Sequence, residues 1–300
     1  MLIFRKDKKV DSVLNETKYI MKKYSISANK SLGQNFLIDD EVVNNIIESA
    51  KISKNDLVIE IGPGLGTLTA RLLEKAGKVI AVELDTRMIE ILKNRFEIYD
   101  NFELLNEDIL KVNLKELILS NEKEYTQVKI VANLPYYITT PIIMKLLEDR
   151  LKIESITVMV QKEVADRIVE KPGDKETGAI TYSVYYYSEP RKICFVSKEC
   201  FIPSPEVDSE VIQLQIRKEP IVKVKDEEMF FKVIKASFTQ RRKTLLNGLI
   251  NGGLISNKDE GKNILTKLEI PENIRGEKLT IEQFAQIADE IYTKINKLHL

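Results

Sequence analysis

The chain has 300 residues, of which 43% are hydrophobic and 31% charged, so it has enough apolar material for a packed core and too little bias for disorder. Its 46 basic and 46 acidic side chains cancel, which excludes a global positive field that would attract a polyanion. The length predicts one large or two unequal domains.

Several chemistries are excluded by what the chain lacks. Its single histidine, His299, leaves no Ser-His-Asp, Cys-His or histidine-ligated metal site, and Cys194 and Cys200 fit neither a zinc pattern nor a disulfide framework, so both are expected to be buried or idle thiols. The longest uncharged stretch near the middle, residues 130–144, is too short to span a membrane. The N-terminal residues also lack the apolar core of a secretory signal, so we expect a cytoplasmic protein. The histidine and cysteine content leads us to expect no bound metal.

The chain begins with a polar, basic segment. Residues 1–30 contain a weakly amphipathic stretch at 12–24 and are predicted to form an arm packed on the main domain. From residue 57, short β-rich runs alternate with helical ones, which predicts βαβ units and a parallel sheet. The five runs are LVIEI, KVIAVEL, NFELLNED, VKIVANL and SITVMVQ.

Two further strands follow a helix over 162–171 that stops at Pro172 and an uncharged segment, TGAITYSVYYYS. The late strands, RKICFV and SEVIQLQIRK, predict an antiparallel pair that completes a mainly parallel sheet of seven strands. Beyond Pro220 only helical patterns remain, near residues 227–238, 243–250, 262–268 and 281–297. We therefore predict a domain over 1–220 and an all-α domain over 221–300.

A glycine-rich turn stands between the first β-run and the next helix. Gly62, Gly64 and Gly66 let a ligand approach the backbone and permit positive φ, although a purely structural turn is the alternative. Glu83 ends the next strand 21 positions after Gly62, where a carboxylate can bind both hydroxyls of a ribose. Thr67 stands where a dinucleotide fingerprint has its third glycine, which favours S-adenosylmethionine over NAD.

A second acidic residue, Asp108, follows the third strand and could accept a hydrogen bond from the 6-amino group of an adenine. Carboxyl ends of parallel strands line one crevice, so Gly62, Glu83 and Asp108 are expected to lie together. The alternative is that Glu83 and Asp108 only cap the helices that follow them.

The fourth strand ends in NLPY, and here the chain resembles the ribosomal RNA adenine dimethyltransferases. The resemblance covers residues 25–297 and depends on a combined set of motifs: SLGQNFLID, IEIGPGLG, AVELD, NEDIL, NLPY, QKEVADRI, FIPSPEVDS and SFTQRRKTLLNGL. It implies a Rossmann-like class I methyltransferase fold and S-adenosylmethionine as cofactor. The implied substrate is a pair of adjacent adenines near the 3′ end of small-subunit ribosomal RNA, in an immature 30S particle, and we expect a monomer.

The NLPY turn suits methylation of an adenine amino group. The Asn133 amide oxygen and the Leu134 carbonyl can each accept one amino proton, which frees the nitrogen lone pair, and Pro135 holds these acceptors in place. Tyr136 offers a face on which an extruded base can stack. The resemblance implies that Phe201 closes on the other face of that adenine, whereas core positions are the alternative for both aromatic residues. Tyr137 stands where many members have Asn, and we assign it no role.

The remaining assignments concern the cofactor and the RNA. The resemblance implies that Asn35 and the region of Leu37 fold over the cofactor. Arg241, Arg242 and Lys243 cluster at a predicted helix junction, where cations near a helix N-terminus would favour a bound phosphate. Lys162 and Arg167 are further RNA candidates, together with Arg191 and Lys192. A solvated charge run is the alternative for all of them.

Three other functions stay open at this point. The chain could be the related large-subunit methylase that confers macrolide resistance, although FIPSPEVDS and SFTQRRKTLLNGL favour the small-subunit enzyme. It could act mainly as a ribosome-assembly factor with secondary catalysis. An NAD-dependent oxidoreductase is disfavoured by Thr67 and by the lack of a proton-relay histidine.

Overall fold

The computed structural model describes residues 12–122, 124–174, 177–240 and 243–298. The helices are α1 (Val13–Lys23), α2 (Asp40–Ser49), α3 (Thr67–Lys75), α4 (Thr86–Phe96), α5 (Leu114–Leu119), α6 (Thr139–Glu148), α7 (Lys162–Val169), α8 (Ala179–Tyr187), α9 (Glu227–Phe238), α10 (Leu245–Asn251), α11 (Lys258–Lys267) and α12 (Ile281–Leu298). The strands are β1 (Phe36–Leu37), β2 (Asp56–Ile61), β3 (Lys78–Glu83), β4 (Phe102–Asn106), β5 (Gln127–Asn133), β6 (Ser155–Gln161), β7 (Ser188–Val196), β8 (Phe201–Ile202) and β9 (Ser209–Ile216).

A seven-stranded sheet forms the centre of the fold, in the order β4-β3-β2-β5-β6-β9-β7. The first five of these strands pair in parallel, and β9 pairs antiparallel with β6, as the sequence predicts. Strand β2 is buried at all six positions, because βαβ connections cover both faces of a parallel sheet with helices. This mainly parallel sheet with a C-terminal helical region agrees with the Rossmann-like fold that the sequence predicts.

Strand register sets the height at which the strands end. Ile61 pairs with Val82 on one side and with Ala132 on the other. The residues that follow these three, Gly62, Glu83 and Asn133, therefore begin at one level of the same sheet edge. A separate two-stranded sheet pairs Leu37 of β1 with Phe201 of β8.

The chain divides into two compact units, residues 1–165 with 191–215 and residues 166–190 with 216–300. The predicted division at residue 220 lies close to one of these boundaries, but it leaves 166–190 with the first domain. The segment belongs to the second unit because the rings of Tyr182 and Phe284 lie 4.8 Å apart and those of Tyr186 and Phe230 lie 5.0 Å apart. The assignment of RNA binding and substrate recognition to the C-terminal helical domain stays a prediction.

The described part of the predicted N-terminal arm contains a packed helix. α1 occupies most of the predicted 12–24 stretch and buries Val13, Thr17 and Ile20. Residues 1–11 of the predicted arm lie outside the described residues. Within the described ranges no helix combines the length and the apolar character that crossing a membrane requires.

The segment TGAITYSVYYYS, which the sequence leaves unassigned, forms helix α8. Its β-branched and aromatic residues favour strands, but packing of its tyrosines on α9 and α12 overrides that preference. Tyr182 is fully buried, and its hydroxyl donates to the Leu279 carbonyl at 2.6 Å and accepts from the Gly173 N–H at 3.2 Å. Burial raises the pKa of Tyr182 to about 12, so the hydroxyl keeps its proton at all physiological pH values.

Tyr182→Phe is expected to lower the free energy of unfolding by about 1–3 kcal/mol, because the Gly173 N–H and the Leu279 carbonyl lose their partner in a buried environment. Denaturant titration followed by circular dichroism measures the change. Tyr185→Phe, on the same helix but only half-buried, is the control and should cost less. Equal stability of the two variants would show that the buried hydroxyl has no special role.

Candidate active site

A cleft of about 1050 Å³, open to solvent, lies where β2, β3, β4 and β5 end. The register of the strands brings nine of the predicted residues to its wall. They are Asn35, Leu37, Gly62, Gly64, Glu83, Asp108, Asn133, Leu134 and Tyr136.

The glycine turn has the backbone that the sequence predicts. Gly62, Gly64 and Gly66 have φ of 65°, 57° and 84°, values that residues other than glycine rarely adopt. At Gly66 a Cβ atom would also lie only 2.6 Å from the ring of Phe96 on α4. The turn is therefore both conformationally restricted and packed against α4.

Glu83 is buried at the end of β3 and binds the glycine turn. One carboxylate oxygen accepts from the Gly64 N–H at 3.0 Å, and the other accepts from the Asp85 N–H at 2.8 Å. Burial raises the pKa of the Glu83 carboxyl, while these two backbone hydrogen bonds favour the ionised form. The helix-cap alternative does not hold for Glu83, because Asp85 is the N-cap of α4.

Asp108 lies on the same wall after β4. Its Oδ1 accepts from the Leu110 N–H at 3.0 Å within a tight local turn, whereas Asn113 caps the helix that follows. Asp108 is therefore not the cap of the helix that follows, although its side chain stabilises a local turn. Among the described residues no hydrogen bond uses its other carboxylate oxygen, Oδ2, and the residue lines the cleft.

The segment before α2 closes the cleft on a further side. The Gln34 amide donates to Asp85 Oδ2 at 2.8 Å, and its oxygen accepts from the Asn29 N–H at the same distance. Gln34 also lines the cleft. The sequence singled out Asn35 and Leu37 here but missed Gln34, since nothing in its spacing indicates a partner 51 residues away.

Asn133 has a defined amide orientation. Its Nδ2 donates to the Asn35 carbonyl at 3.2 Å, and no hydrogen bond in the described part of the chain uses its Oδ1. The amide oxygen is therefore the atom left to accept from a ligand. The following Leu134 is buried and tied to β6, because its N–H donates to the Met159 carbonyl at 3.1 Å.

The two predicted stacking residues lie in different environments. Tyr136 is on the cleft wall, and its hydroxyl lies 2.7 Å from Ser209 Oγ, with which it forms a hydrogen bond. Burial raises the pKa of Tyr136. Phe201 is only 3% exposed, pairs with Leu37 across the small sheet, and lies in the hydrophobic core rather than on the cleft wall. Its predicted stacking role would require the ring to leave that core.

The predicted RNA contacts fall on different segments of the chain, some of them outside the described residues. Arg241 and Arg242 lie outside the described residues, and Lys243 is exposed between α9 and α10, as the predicted helix junction requires. Lys162 and Arg167 lie on α7, and neither is one of the residues that line the cleft. Among the described residues no group of histidine, cysteine or acidic side chains could hold a metal ion, and both cysteines are unpaired and half-buried.

Glu60 is a cleft residue that the sequence did not indicate. It lies within β2, is 1% exposed, and accepts from the Thr69 hydroxyl at 2.6 Å. Burial raises the pKa of Glu60 to about 8, and the neighbouring Glu83 carboxylate adds to the shift. An acidic residue inside an otherwise apolar strand is the signal that could have revealed it.

The family model and the similar proteins of known name agree on one family. The model of the ribosomal RNA adenine dimethylase family matches residues 25–293. "Ribosomal RNA small subunit methyltransferase A" of Clostridium acetobutylicum is 49% identical over 276 residues, which are 92% of this chain and 98% of that protein. The protein of the same name from Alkaliphilus oremlandii is 46% identical over 93% of this chain and 97% of its own.

Solved structures agree on the fold. A dimethyladenosine transferase from Plasmodium falciparum superposes with a TM-score of 0.68 and 27% identity, over 88% of this chain and 98% of that chain. The 23S rRNA methyltransferase ErmE superposes with a TM-score of 0.64 over 86% of this chain and all of its own. At 24% identity the second comparison supports the fold alone.

The raised pKa of Glu60 predicts a pH-dependent stability. Folding favours the protonated carboxyl, so its contribution is complete below the ordinary pKa of 4.5 and is lost as the pH rises towards about 8. Glu60→Gln cannot ionise. Its free energy of unfolding, relative to the wild type, should therefore increase between pH 5 and pH 8, by at least about 1.4 kcal/mol, the equivalent of one pKa unit.

Denaturant unfolding at several pH values measures this difference. Glu74→Gln, which removes an exposed carboxylate in the same unit, is the matched control and should show no such trend. A pH-independent difference between Glu60→Gln and the wild type would mean that Glu60 is ionised in the folded protein throughout this range.

Proposed function

The chain belongs to the ribosomal RNA adenine dimethylase family, and from that premise we propose how its cleft methylates adenine. The protein is an S-adenosylmethionine-dependent ribosomal RNA methyltransferase that acts on the 6-amino group of adenines. The observation that carries the proposed site is the amide of Asn133, whose nitrogen is held by the Asn35 carbonyl so that its oxygen is left for the substrate.

The cofactor fits one side of the cleft. The carboxylate of Glu83 would bind the two ribose hydroxyls, and Asp108 would accept from the adenine amino group of the cofactor. Gly62 and Gly64 let the ligand approach the backbone, while Asn35 and the Leu37 segment cover it. When bound, S-adenosylmethionine supplies an electrophilic methyl group on a positively charged sulfur.

Asn133 and Leu134 would activate the target nitrogen. The Asn133 Oδ1 and the Leu134 carbonyl oxygen would each accept a hydrogen bond from one N–H of the adenine amino group, which would leave the nitrogen lone pair free to attack the methyl carbon. One amino proton would leave to solvent when the nitrogen takes up the methyl group that the cofactor supplies. A strong base is not needed, because the nitrogen becomes acidic once it carries the methyl group. The monomethylated amine still has one proton, so a second transfer can follow.

Tyr136 would hold the extruded base by stacking, which is worth about 1–3 kcal/mol and offsets much of the unstacking. Its hydrogen bond to Ser209 fixes the ring at the cleft wall. Phe201 would have to turn out of the core to reach the opposite face of the base. Lys243, Lys162 and Arg167, with Arg241 and Arg242, are the proposed contacts to the RNA backbone.

The choice between small-subunit and large-subunit RNA as the substrate depends on the names of the relatives. The 46% and 49% identical proteins carry small-subunit names, which favours small-subunit RNA over the large-subunit substrate of the ErmE neighbour, only 24% identical. We propose two adjacent adenines near the 3′ end of that RNA, within an immature 30S particle, and a cytoplasmic monomer. A role as an assembly factor with secondary catalysis is the alternative.

One experiment tests this function. Purified protein is incubated with labelled S-adenosylmethionine and with small subunits that lack the modification, and the modified nucleotides are mapped. Dimethylated adenines in the small-subunit RNA are expected. Label in large-subunit RNA would favour the macrolide-resistance alternative, and label on protein or nowhere would contradict the proposal.

Asn133→Ala is expected to lower the rate of methyl transfer by about 100-fold or more while the cofactor dissociation constant changes only severalfold, because a preorganised acceptor of the reacting group is lost. Single-turnover transfer and calorimetric cofactor binding measure the two effects. Asn94→Ala, an exposed asparagine on α4, is the control and should retain wild-type turnover. Turnover by Asn133→Ala near the wild-type rate would refute the role of the amide oxygen.

A further inference from the structure

Arg95 connects the N-terminal helix to the glycine turn. It lies near the end of α4, and its side chain is only 12% exposed. One guanidinium nitrogen donates to the Leu65 carbonyl inside the turn, and another forms an ion pair with Glu16 of α1. A single buried cation therefore bridges two segments 49 residues apart in sequence, Glu16 and Leu65.

Glu16 is itself held in place by the packing of α1. The Val13 N–H donates to both carboxylate oxygens of Asp40 at 3.2 Å, which anchors the start of α1 on the start of α2. The buried face of α1, with Val13, Thr17 and Ile20, fixes the rotation of the helix. The ion pair with Arg95 therefore has a rigid support.

The Leu65 carbonyl is a sensitive position in the turn. It belongs to the peptide between Leu65 and Gly66, where the chain has φ of 84° and packs closely on Phe96. One residue before, the Gly64 N–H binds the Glu83 carboxylate. A donor on the Leu65 carbonyl thus restrains the conformation that presents both Gly64 and Glu83 to the cleft.

The chemistry of Arg95 suits this task. A guanidinium has several donors in a rigid fork, so it can bind a carbonyl and a carboxylate at the same time, which a lysine cannot do with the same geometry. Removal from water penalises the charged form and lowers the pKa of Arg95, whereas the Glu16 carboxylate opposes that shift. The ion pair is what allows a cation to remain at this buried position.

We propose that Arg95 and Glu16 are positioning residues of the cofactor site, which makes the N-terminal helix a working part of that site. Glu16 holds the guanidinium, and the guanidinium holds the Leu65 carbonyl, so that the glycine turn is already shaped when the cofactor arrives. The inference rests on the proposed function of the cleft. It gives the arm that precedes the family motifs a role in cofactor affinity.

Calorimetric titration of the full-length protein with S-adenosylmethionine tests the inference. Arg95→Lys keeps the charge but cannot hold both partners, and its dissociation constant should rise about tenfold. Glu16→Gln keeps an acceptor oxygen but loses the charge, and its constant should rise about threefold. Lys18→Gln removes one exposed charge from the same helix and should bind as the wild type does.

Kinetics separate positioning from a loss of stability. If the two residues position the turn, the KM for S-adenosylmethionine rises in both variants, while kcat at saturating cofactor and the KM for RNA remain unchanged. A purely structural role would instead lower the apparent kcat through a smaller folded fraction and leave the cofactor KM unchanged. Should Arg95→Lys fail to fold, the milder Glu16→Gln is sufficient for the same comparison.

Wild-type cofactor affinity in both variants, or a loss of kcat with an unchanged cofactor KM, would overturn the positioning role. Failure of the wild-type protein to bind S-adenosylmethionine would instead contradict the proposed function. The two failures are therefore distinguishable in the same set of titrations.

Discussion

The parallel hydrogen-bond register of the central strands is the constraint on which the site depends. Because Ile61 pairs with both Val82 and Ala132, three strands end at one height and pass their next residues to one cleft. Hydrogen bonds that shape the cleft form between residues that this alignment brings close together. They include the bond from Gly64 to Glu83 and the bond from Asn133 to Asn35. A shift of one residue in one strand would move its functional side chain to the opposite face of the sheet.

Much of this arrangement could be predicted from the sequence. The apolar β-runs, their alternation with helical segments and the acidic residues Glu83 and Asp108 near the ends of two strands are local patterns, and topology converts them into proximity. Glycine at three alternate positions announces a turn with positive φ, and the structure has that backbone. The two late strands also follow from a local pattern, because both runs, RKICFV and SEVIQLQIRK, are rich in apolar and β-branched residues.

Other features depend on contacts that have no local signature. Helix α8 forms from residues that favour strands, because its tyrosines find aromatic partners on α9 and α12. Gln34 reaches Asp85, and Glu60 sits within an apolar strand, for reasons that appear only once the chain is folded. The resemblance implies a place for Phe201 beside the substrate, which stays a prediction, and in the structure its side chain packs in the core. Motifs identify which residues matter more readily than they specify a side-chain conformation.

The antiparallel strand β9 has a consequence for how the site is made. It runs back along β6, so Ser209 begins where the parallel strands end, and its hydroxyl reaches Tyr136. The small sheet closes the same region by pairing Phe36 with Ile202. Residues from near the start and near the two-thirds point of the chain must therefore meet before the cleft is whole. During synthesis, a nascent chain that has been translated only as far as the NLPY turn therefore has an incomplete site. The site is complete only after β9 has been synthesised and has paired with β6.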